Sequence, residues 1–367
     1  MAVTAAAAVA RAPRQRRVMP GLGLSLGITL TWLGLVVLIP LFAVLLKTSG
    51  LGWDGVWRVW SEPRVLAALR LSFGTALAAA AFNAVMGTWV AWVFVRYRFP
   101  GKRLFDAMID LPFALPTAVA GIALTALYGS NGWIGRWLEQ PTQALAASLP
   151  TLAWWWPRLA LLLALAATGY ALLRRSQALL PAPLRVLQRL LGTVAVLSLA
   201  ALGVGGLLIG YVGLMQVSGA SGVKVAYAPL GIVVALVFVG LPFVVRIVQP
   251  VLAEAERELE EAAATLGAGR WQTVRRVVLP TLWPAVLTGF ALAFARGVGE
   301  YGSVIFIAGN LPNATEIAPL LITIRLEEFD YGGASAIAAA MLLLSLLSLL
   351  LVNGAQAWFA RRGRAVA

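Results

Sequence analysis

Arg296 and Glu300 are the clearest candidates for chemistry in this sequence, because they place opposite charges four residues apart within an apolar stretch. Four residues make about one turn of a helix, so the two side chains can neutralise one another as an ion pair. Ionisable residues in an apolar helix are costly, and they often mark the route of an ion or a gate on that route. The sequence leaves both interpretations open: a neutralising pair, and a site on the path of a charged substrate.

Most catalytic chemistry is excluded by the residues that the chain lacks. It has no cysteine and no histidine, which removes thiolate nucleophiles, imidazole bases and the common zinc ligand sets. Its lysines, Lys47, Lys102 and Lys224, do not fit the Gly-x4-Gly-Lys-Ser/Thr pattern of a phosphate-binding loop. We therefore expect a chain that is not an enzyme and binds no cofactor or metal. If ATP drives its function, a partner chain must bind the ATP-Mg.

The elements that carry the candidate residues are apolar runs of membrane length. The chain is 60% hydrophobic and 12% charged, with a mean hydropathy of +0.86, which is typical of membrane proteins. A helix needs about 20 apolar residues to cross roughly 30 Å of hydrocarbon. We therefore predict an all-α, polytopic transmembrane bundle of about eight spans. They are Leu24–Leu46, Leu66–Val95, Met108–Tyr128, Pro157–Leu173, Leu190–Val212, Pro229–Val248, Leu282–Ile307 and Ala334–Phe359.

The formal charge of +14 indicates orientation rather than nucleic-acid binding, because the basic residues stand between apolar runs and not on one soluble face. Four arginines precede the first run, which predicts a cytoplasmic N-terminus: Arg11, Arg14, Arg16 and Arg17. The first run is longer than the apolar region of a signal peptide, so we expect a retained anchor. The prediction is a multi-pass membrane protein, in contact with lipid and with both termini cytoplasmic.

One hydrophilic stretch interrupts the apolar runs. It is EAAATLGAGRWQTVRRVVLP, residues Glu261–Pro280. Composition predicts a helix over Val251–Leu266, a turn at Gly267, and a second helix over Arg270–Val278 that ends before Pro280. Taken alone, this pattern fits a solvated loop and a docking surface about equally.

The spacing within this stretch resembles the signature loop of one transporter family. Glu261-Ala262-Ala263, Gly267 and Leu279-Pro280 stand at the positions found in the membrane subunits of binding-protein-dependent ABC importers, with Val277 where isoleucine is usual. The resemblance implies a type I ABC importer permease fold in a bacterial inner membrane. It also implies that residues 251–280 are the coupling loop that seats in a groove of the ATPase subunit.

Further strings resemble the sulfate/thiosulfate branch of that family, and specifically its T-type subunit. They include DLPFALPTAVAGIAL at Asp110–Leu124 and FARGVGEYGSVIFIAGN at Phe294–Asn310. The resemblance implies import of sulfate or thiosulfate by alternating access, with three kinds of partner: a cytoplasmic ATPase dimer, a second, W-type permease subunit, and a periplasmic sulfate/thiosulfate-binding protein. Molybdate permeases share the string at Gly299–Gly302, so another oxyanion remains an alternative.

The resemblance weakens over residues 139–222, which we interpret as an inserted helical hairpin of two spans. The predicted organisation is a basic tail (1–20), an anchor span with an outer loop (21–60), a permease core in two parts (61–138 and 223–360), and a second basic tail (361–367). An even number of inserted spans keeps the sidedness of the second part unchanged.

Pro112 and Pro116 interrupt the start of the third predicted span, which leaves backbone groups free to line a cavity, although a plain kink is the commoner outcome. We keep them with Arg296 and Glu300 as candidates for the path or gate. A stand-alone ion-coupled transporter is a weaker alternative, since it needs intramembrane acids and an inverted repeat, and only Glu300 qualifies.

Overall fold

A computed structural model describes residues 22–140, 222–254 and 257–364. Of the segment between, it describes residues 154–155, 157–171, 186–188, 190–195, 197–198, 201–203 and 206. All the regular secondary structure in these ranges is helical, as predicted. The first seven helices are α1 Gly23–Ser49, α2 Gly52–Ser61, α3 Pro63–Arg96, α4 Lys102–Ile109, α5 Leu111–Ala114, α6 Thr117–Tyr128 and α7 Gly135–Glu139. The others are α8 Pro229–Glu254, α9 Arg257–Thr265, α10 Arg270–Val298, α11 Val304–Ile307, α12 Ala318–Glu327 and α13 Tyr331–Arg364.

Five helices of the described chain, α1, α3, α8, α10 and α13, are long and apolar enough to cross a membrane. They correspond to five of the eight predicted spans, of which Leu282–Ile307 differs in its bounds because α10 runs from Arg270 to Val298. The third predicted span, Met108–Tyr128, is not one helix but the end of α4 followed by α5 and α6. Between α7 and α8 lie two shorter apolar helices, Pro157–Ala171 and Val186–Ala195. Most of the rest of the predicted 139–222 hairpin, and the tail 1–20, fall outside the described residues.

The core forms where α3, α8 and α10 pack together. Val244 of α8 is fully buried between two glycines, Gly87 of α3 and Gly289 of α10. A Cβ atom at Gly87 would lie 2.8 Å from the Val244 side chain, and one at Gly289 would lie 2.9 Å from the Val244 Cα atom. Small residues at helix crossings allow backbones to approach closely, which is the main source of packing energy between helices in lipid. These two glycines therefore hold the three helices at contact distance.

A polar side chain also lies inside this core. Asn83 of α3 is fully buried, and its amide nitrogen and oxygen have no hydrogen-bond partner among the described residues. A Cβ atom at Gly240 of α8 would lie 2.5 Å from the Asn83 amide nitrogen, so the amide occupies the space that glycine leaves open. An unpaired buried amide costs about 1–3 kcal/mol.

Charged groups gather at the two ends of α3, whose 34 residues span about 51 Å. At its N-terminal end, Arg64 donates two hydrogen bonds to the buried Glu316 carboxylate, both 2.8 Å long. Nearby, Arg325 donates to Glu62 at 2.5 Å. At its C-terminal end, Arg96 pairs with Glu260. We call these the Glu62 end and the Arg96 end of the bundle. Because α3 is longer than the roughly 30 Å of hydrocarbon in a bilayer, the charged groups at both of its ends can lie outside the hydrocarbon.

Candidate functional site

The predicted turn between two helices is present, and it has the geometry of a helix C-cap. The first predicted helix, Val251–Leu266, differs from the structure, because residues 251–254 belong to α8 and the helix before the turn is α9. Gly267 has a φ angle of +79°, in the left-handed region that favours glycine. The N–H of Gly267 donates to the carbonyl of Ala264, and the N–H of Ala268 donates to the carbonyl of Ala263, both at 3.0 Å. This pair of bonds is a Schellman motif, which satisfies the last carbonyls of α9. No atom would crowd a Cβ at Gly267, so the requirement for glycine there comes from φ alone.

The turn presents two large apolar side chains to the surroundings. Leu266 is 88% exposed and Trp271 is 73% exposed, while Glu261 and Ala262 are also on the surface. At the start of α10, the Gln272 side chain accepts the N–H of Gly269 at 3.0 Å, which caps the second helix. The stretch is therefore a fixed, exposed projection with an apolar tip, and not a featureless loop.

A long-range ion pair attaches this projection to the bundle. Glu260 of α9 accepts a hydrogen bond from Arg96, at the end of α3. The Arg96 guanidinium also lies over the Trp92 ring, 5.4 Å from its centroid. Residues 96 and 260 are far apart in sequence, and sequence reasoning did not identify their contact. Helix α9 is thereby in contact with α3 as well as with α10.

The prediction that the second helix ends before Pro280 is wrong. Helix α10 continues from Arg270 to Val298 through the proline. The turn Val274–Val278, just before it, is a π-helix in which the N–H of Leu279 reaches the carbonyl of Val274. A π-turn widens the helix locally, which accommodates the missing N–H and the ring of Pro280 without a break.

A second group that sequence reasoning missed lies near the Arg96 end and centres on Arg246 of α8. Its guanidinium donates to both carboxylate oxygens of Asp110, at 2.8 and 2.6 Å, and to a carboxylate oxygen of Asp106 at 2.8 Å. It also donates to the Gln249 side chain at 2.9 Å. The fork-shaped guanidinium is suited to such a two-carboxylate contact. Arg246 thus fixes α4 and the start of α5 onto α8, which leads into α9.

The Arg296–Glu300 pair is present, but it does not lie within one continuous helix. Arg296 Nη1 is 2.6 Å from Glu300 Oε2, and the Glu300 side chain is 1% exposed whereas that of Arg296 is 39% exposed. The other carboxylate oxygen of Glu300 accepts the backbone N–H and the hydroxyl of Ser303, both at 3.0 Å. Glu300 is therefore the anchored partner, and Arg296 is the partner with an accessible face.

The predicted span Leu282–Ile307 is broken after Val298, because residues 299–303 leave the helix before α11 begins. The Glu300 carboxylate takes the Ser303 N–H that a continuous helix would direct to a carbonyl. Three glycines in the region further weaken the helix: Gly297, Gly299 and Gly302. We call residues 299–303 the glycine break.

Helix α6 packs directly on the glycine break. A Cβ atom at Gly302 would lie 2.2 Å from Thr117 Oγ1, and one at Gly121 would lie 2.4 Å from the Ser303 carbonyl oxygen. Pro116 directly precedes α6, where the helix is interrupted, and its neighbour Thr117 contacts Gly302 of the glycine break. Pro112 lies in α5, next to Phe113, whose ring contacts that of Phe243. The predicted interruption at the prolines is confirmed, since α5 ends at Ala114 and α6 begins at Thr117.

A cavity of about 580 Å³ lies at the C-terminal end of α6. The ring of Phe306 contributes to its lining. So do four neutral polar side chains, those of Thr125, Ser130, Asn131 and Tyr227. Neutral donors can hold an anion weakly, as a transport path requires.

Helix α10 connects the turn at Gly267 to the ion pair. From Arg270 to Arg296 the helix rises about 39 Å. The exposed projection thus adjoins one end of this helix, and Arg296, which pairs with the buried Glu300 carboxylate, lies near the other end. This arrangement can transmit a displacement across the bundle.

Comparison with known proteins identifies the relatives of this chain. The profile of the binding-protein-dependent transport system inner membrane component family matches residues 182–365. The sulfate transport system permease protein CysT of Escherichia coli (strain K12) is 40% identical over 347 residues, covering 95% of this chain and 96% of that protein. The protein of the same name from Synechocystis sp. (strain PCC 6803) is 39% identical, covering 90% of this chain and 88% of that protein.

Two solved structures share the fold. One is a crystal structure of a bacterial alginate ABC transporter in complex with an alginate pentasaccharide-bound periplasmic protein, with a TM-score of 0.58 and 13% identity, covering 91% of this chain and 92% of that chain. The other is a bacterial ABC transporter involved in alginate import, with a TM-score of 0.59 and 12% identity, covering 91% and 94%. The helical bundle therefore has the type I fold of ABC importer permeases. The match to the family profile begins at residue 182, inside the predicted 139–222 hairpin. That this hairpin is an insertion stays a prediction.

Proposed function

The chain belongs to the family of inner-membrane components of binding-protein-dependent transport systems, and we propose that it is the permease subunit of an ABC importer for sulfate or thiosulfate. The observation that carries the substrate is the identity to sulfate permeases, which extends over nearly the whole length of both chains. ATP hydrolysis on separate ATPase subunits drives alternating access of the pore to the two sides of the membrane.

Energy enters at the exposed coupling turn. The residues in the coupling role are Glu261, Ala262, Ala263, Gly267, Leu279 and Pro280. The small alanines permit close approach, and the tip formed by Leu266 and Trp271 offers apolar anchors for a groove on the ATPase. Both Arg96 and α10 connect this surface to the helices that form the core.

The charge distribution supports a cytoplasmic position for the Arg96 end. Basic residues surround α4 and the coupling turn, among them Arg98, Lys102, Arg103, Arg275 and Arg276. Cytoplasmic segments carry an excess of Lys and Arg. The N- and C-termini lie on the same side, and the Glu62 end faces the periplasm.

Sulfate crosses the membrane through weak contacts that are spread along its path. The neutral cavity beyond α6 receives it, and the accessible face of Arg296 offers one positive charge along the way. Glu300 keeps that charge balanced and fixed when no anion is present. A single strong site would retain the ion, so this sparse arrangement suits transport.

The pore is completed by partner chains. We propose a second, W-type permease subunit beside this one, an ATPase dimer with ATP-Mg at the Arg96 end, and a periplasmic binding protein at the Glu62 end. This chain binds no nucleotide in that assembly.

Sulfate uptake is the direct test of the substrate. In cells that lack this chain and any second sulfate importer, we expect uptake of labelled sulfate to be lost and to return with the chain. Excess thiosulfate should block the restored uptake, and molybdate should block it weakly. Unchanged sulfate uptake, or strong block by molybdate alone, would contradict the proposed substrate and favour another oxyanion.

A further inference from the structure

The turn between α12 and α13 holds a phenylalanine in a backbone conformation that suits glycine. Phe329 has a φ angle of +61°, where a bulky residue is an outlier. Its N–H donates to the carbonyl of Leu326 at 3.1 Å, and the N–H of Asp330 donates to the carbonyl of Arg325 at 2.9 Å. This is the same Schellman arrangement that ends α9, where the corresponding residue is Gly267.

Neighbouring groups fix this strained turn from both sides. Asp330 Oδ1 accepts the N–H of Gly333 at 2.8 Å, which caps the start of α13. Asp330 Oδ2 accepts from Arg325 at 3.3 Å, and Arg325 also donates to Glu62. Strained residues persist where their surroundings determine the conformation, and they cluster at functional sites. A glycine at position 329 would make the same turn without strain.

The Phe329 side chain gains little from packing within this chain. It is 78% exposed, and its ring lies edge-on to that of Tyr331 with 6.5 Å between centroids, while Tyr331 is itself 51% exposed. Burial within the described part of the chain therefore does not explain why phenylalanine stands where glycine would fit. The benefit of the ring must therefore come from a contact beyond the described part of the chain.

The position and charge of the turn indicate the kind of partner. Arg325 ties the turn to Glu62, so Phe329 lies at the end of the bundle opposite the coupling turn. The adjoining Glu327 and Glu328 are exposed. An aromatic tip with an acidic rim is complementary to an apolar recess flanked by Lys or Arg on a soluble protein. The same acids disfavour contact with anionic lipid headgroups.

We propose that Phe329, supported by Tyr331, is an anchor by which this chain docks the soluble substrate-binding protein. This inference rests on the proposed function, because it requires an importer that receives its substrate from such a protein. The partner surface is an apolar recess with basic residues at its edge.

The test compares Phe329→Gly with Phe329→Trp in the complete purified transporter. The probe is the sulfate-loaded sulfate-binding protein of the same cells. We expect Phe329→Gly to weaken its binding by at least about tenfold, as for an interface hot spot. The melting temperature should stay equal or rise, because glycine relieves the strain. Phe329→Trp should bind within about threefold of wild type, since it keeps a large aromatic anchor.

A matched control is Trp53→Ala, which removes an aromatic side chain of similar exposure, 72%, from a helical position in α2. We expect its binding to equal that of wild type. Equal binding by Phe329→Gly and wild type would overturn the docking inference alone. Failure of the wild-type transporter to bind the sulfate-binding protein at all would contradict the proposed function, and the inference with it.

Crosslinking gives an answer that does not depend on stability. A photoreactive phenylalanine analogue at position 329 should form an adduct with the substrate-binding protein in intact membranes. Adducts only with the second permease subunit, or only with lipid, would assign the ring to a different contact and overturn the proposal.

Discussion

Sulfate import falls by more than about tenfold when Gly267 is replaced by proline, while the assembled transporter stays in the membrane at its normal level. This is the expected result because proline fixes φ near −65°, whereas Gly267 requires +79°. Proline also removes the N–H that bonds to Ala264. Rebuilding the turn costs about 3 kcal/mol or more and displaces α9 relative to α10. The measurements are labelled sulfate uptake and the amount of assembled transporter in the membrane fraction.

Gly267→Asn is the matched control for that variant. Asparagine tolerates the left-handed region and keeps its N–H, and no atom would crowd its Cβ. We expect import by Gly267→Asn to stay within about threefold of wild type, since the turn is preserved at a cost of about 1 kcal/mol. Normal import by Gly267→Pro at wild-type abundance would show that the turn does not couple ATP hydrolysis to transport.

Replacing Arg296 with glutamine should abolish import and also destabilise the transporter. The Glu300 carboxylate, 1% exposed, would lose its charged partner, and removing one member of a buried pair costs about 3–5 kcal/mol. Because Arg296 is partly exposed, we expect the lower end of that range. Uptake and melting temperature both fall in this variant. On its own it does not separate a structural pair from a transport path.

The double variant Arg296→Gln/Glu300→Gln separates the two roles. A glutamine at position 300 can still accept hydrogen bonds from Ser303, and no buried charge remains, so stability should return toward wild type. We expect import to remain lost, because the positive charge on the path is still absent. If import recovered together with stability, the Arg296–Glu300 pair would have a structural role only.

Much of the fold follows from hydrophobic length and local signals. Five predicted spans correspond to long helices, since continuous apolar runs determine them locally. The turn at Gly267 was predictable because a positive φ is a local demand that glycine meets. The interruption before α6 was likewise predictable from Pro116.

Other features depend on contacts that no local pattern encodes. The Arg246–Asp110 and Arg96–Glu260 pairs join distant parts of the chain. Each of these residues, taken alone, resembles any other charged residue of a loop or helix end. The helix continues through Pro280 because of a π-turn, and the span at Glu300 breaks because its carboxylate captures Ser303. Phe329 gives no signal in the sequence, since its significance lies in its φ angle.

The most direct test of the central claim is ATP-driven accumulation of labelled sulfate in proteoliposomes. These would contain the transporter purified through a tag on this chain, with sulfate-binding protein outside and ATP on the side of the ATPase subunits. We expect sulfate to accumulate against its gradient. This accumulation should require both ATP and the binding protein, and it should be lost in Gly267→Pro. Accumulation that persists without ATP or the ATPase subunits would contradict it, and would identify a transporter that acts alone.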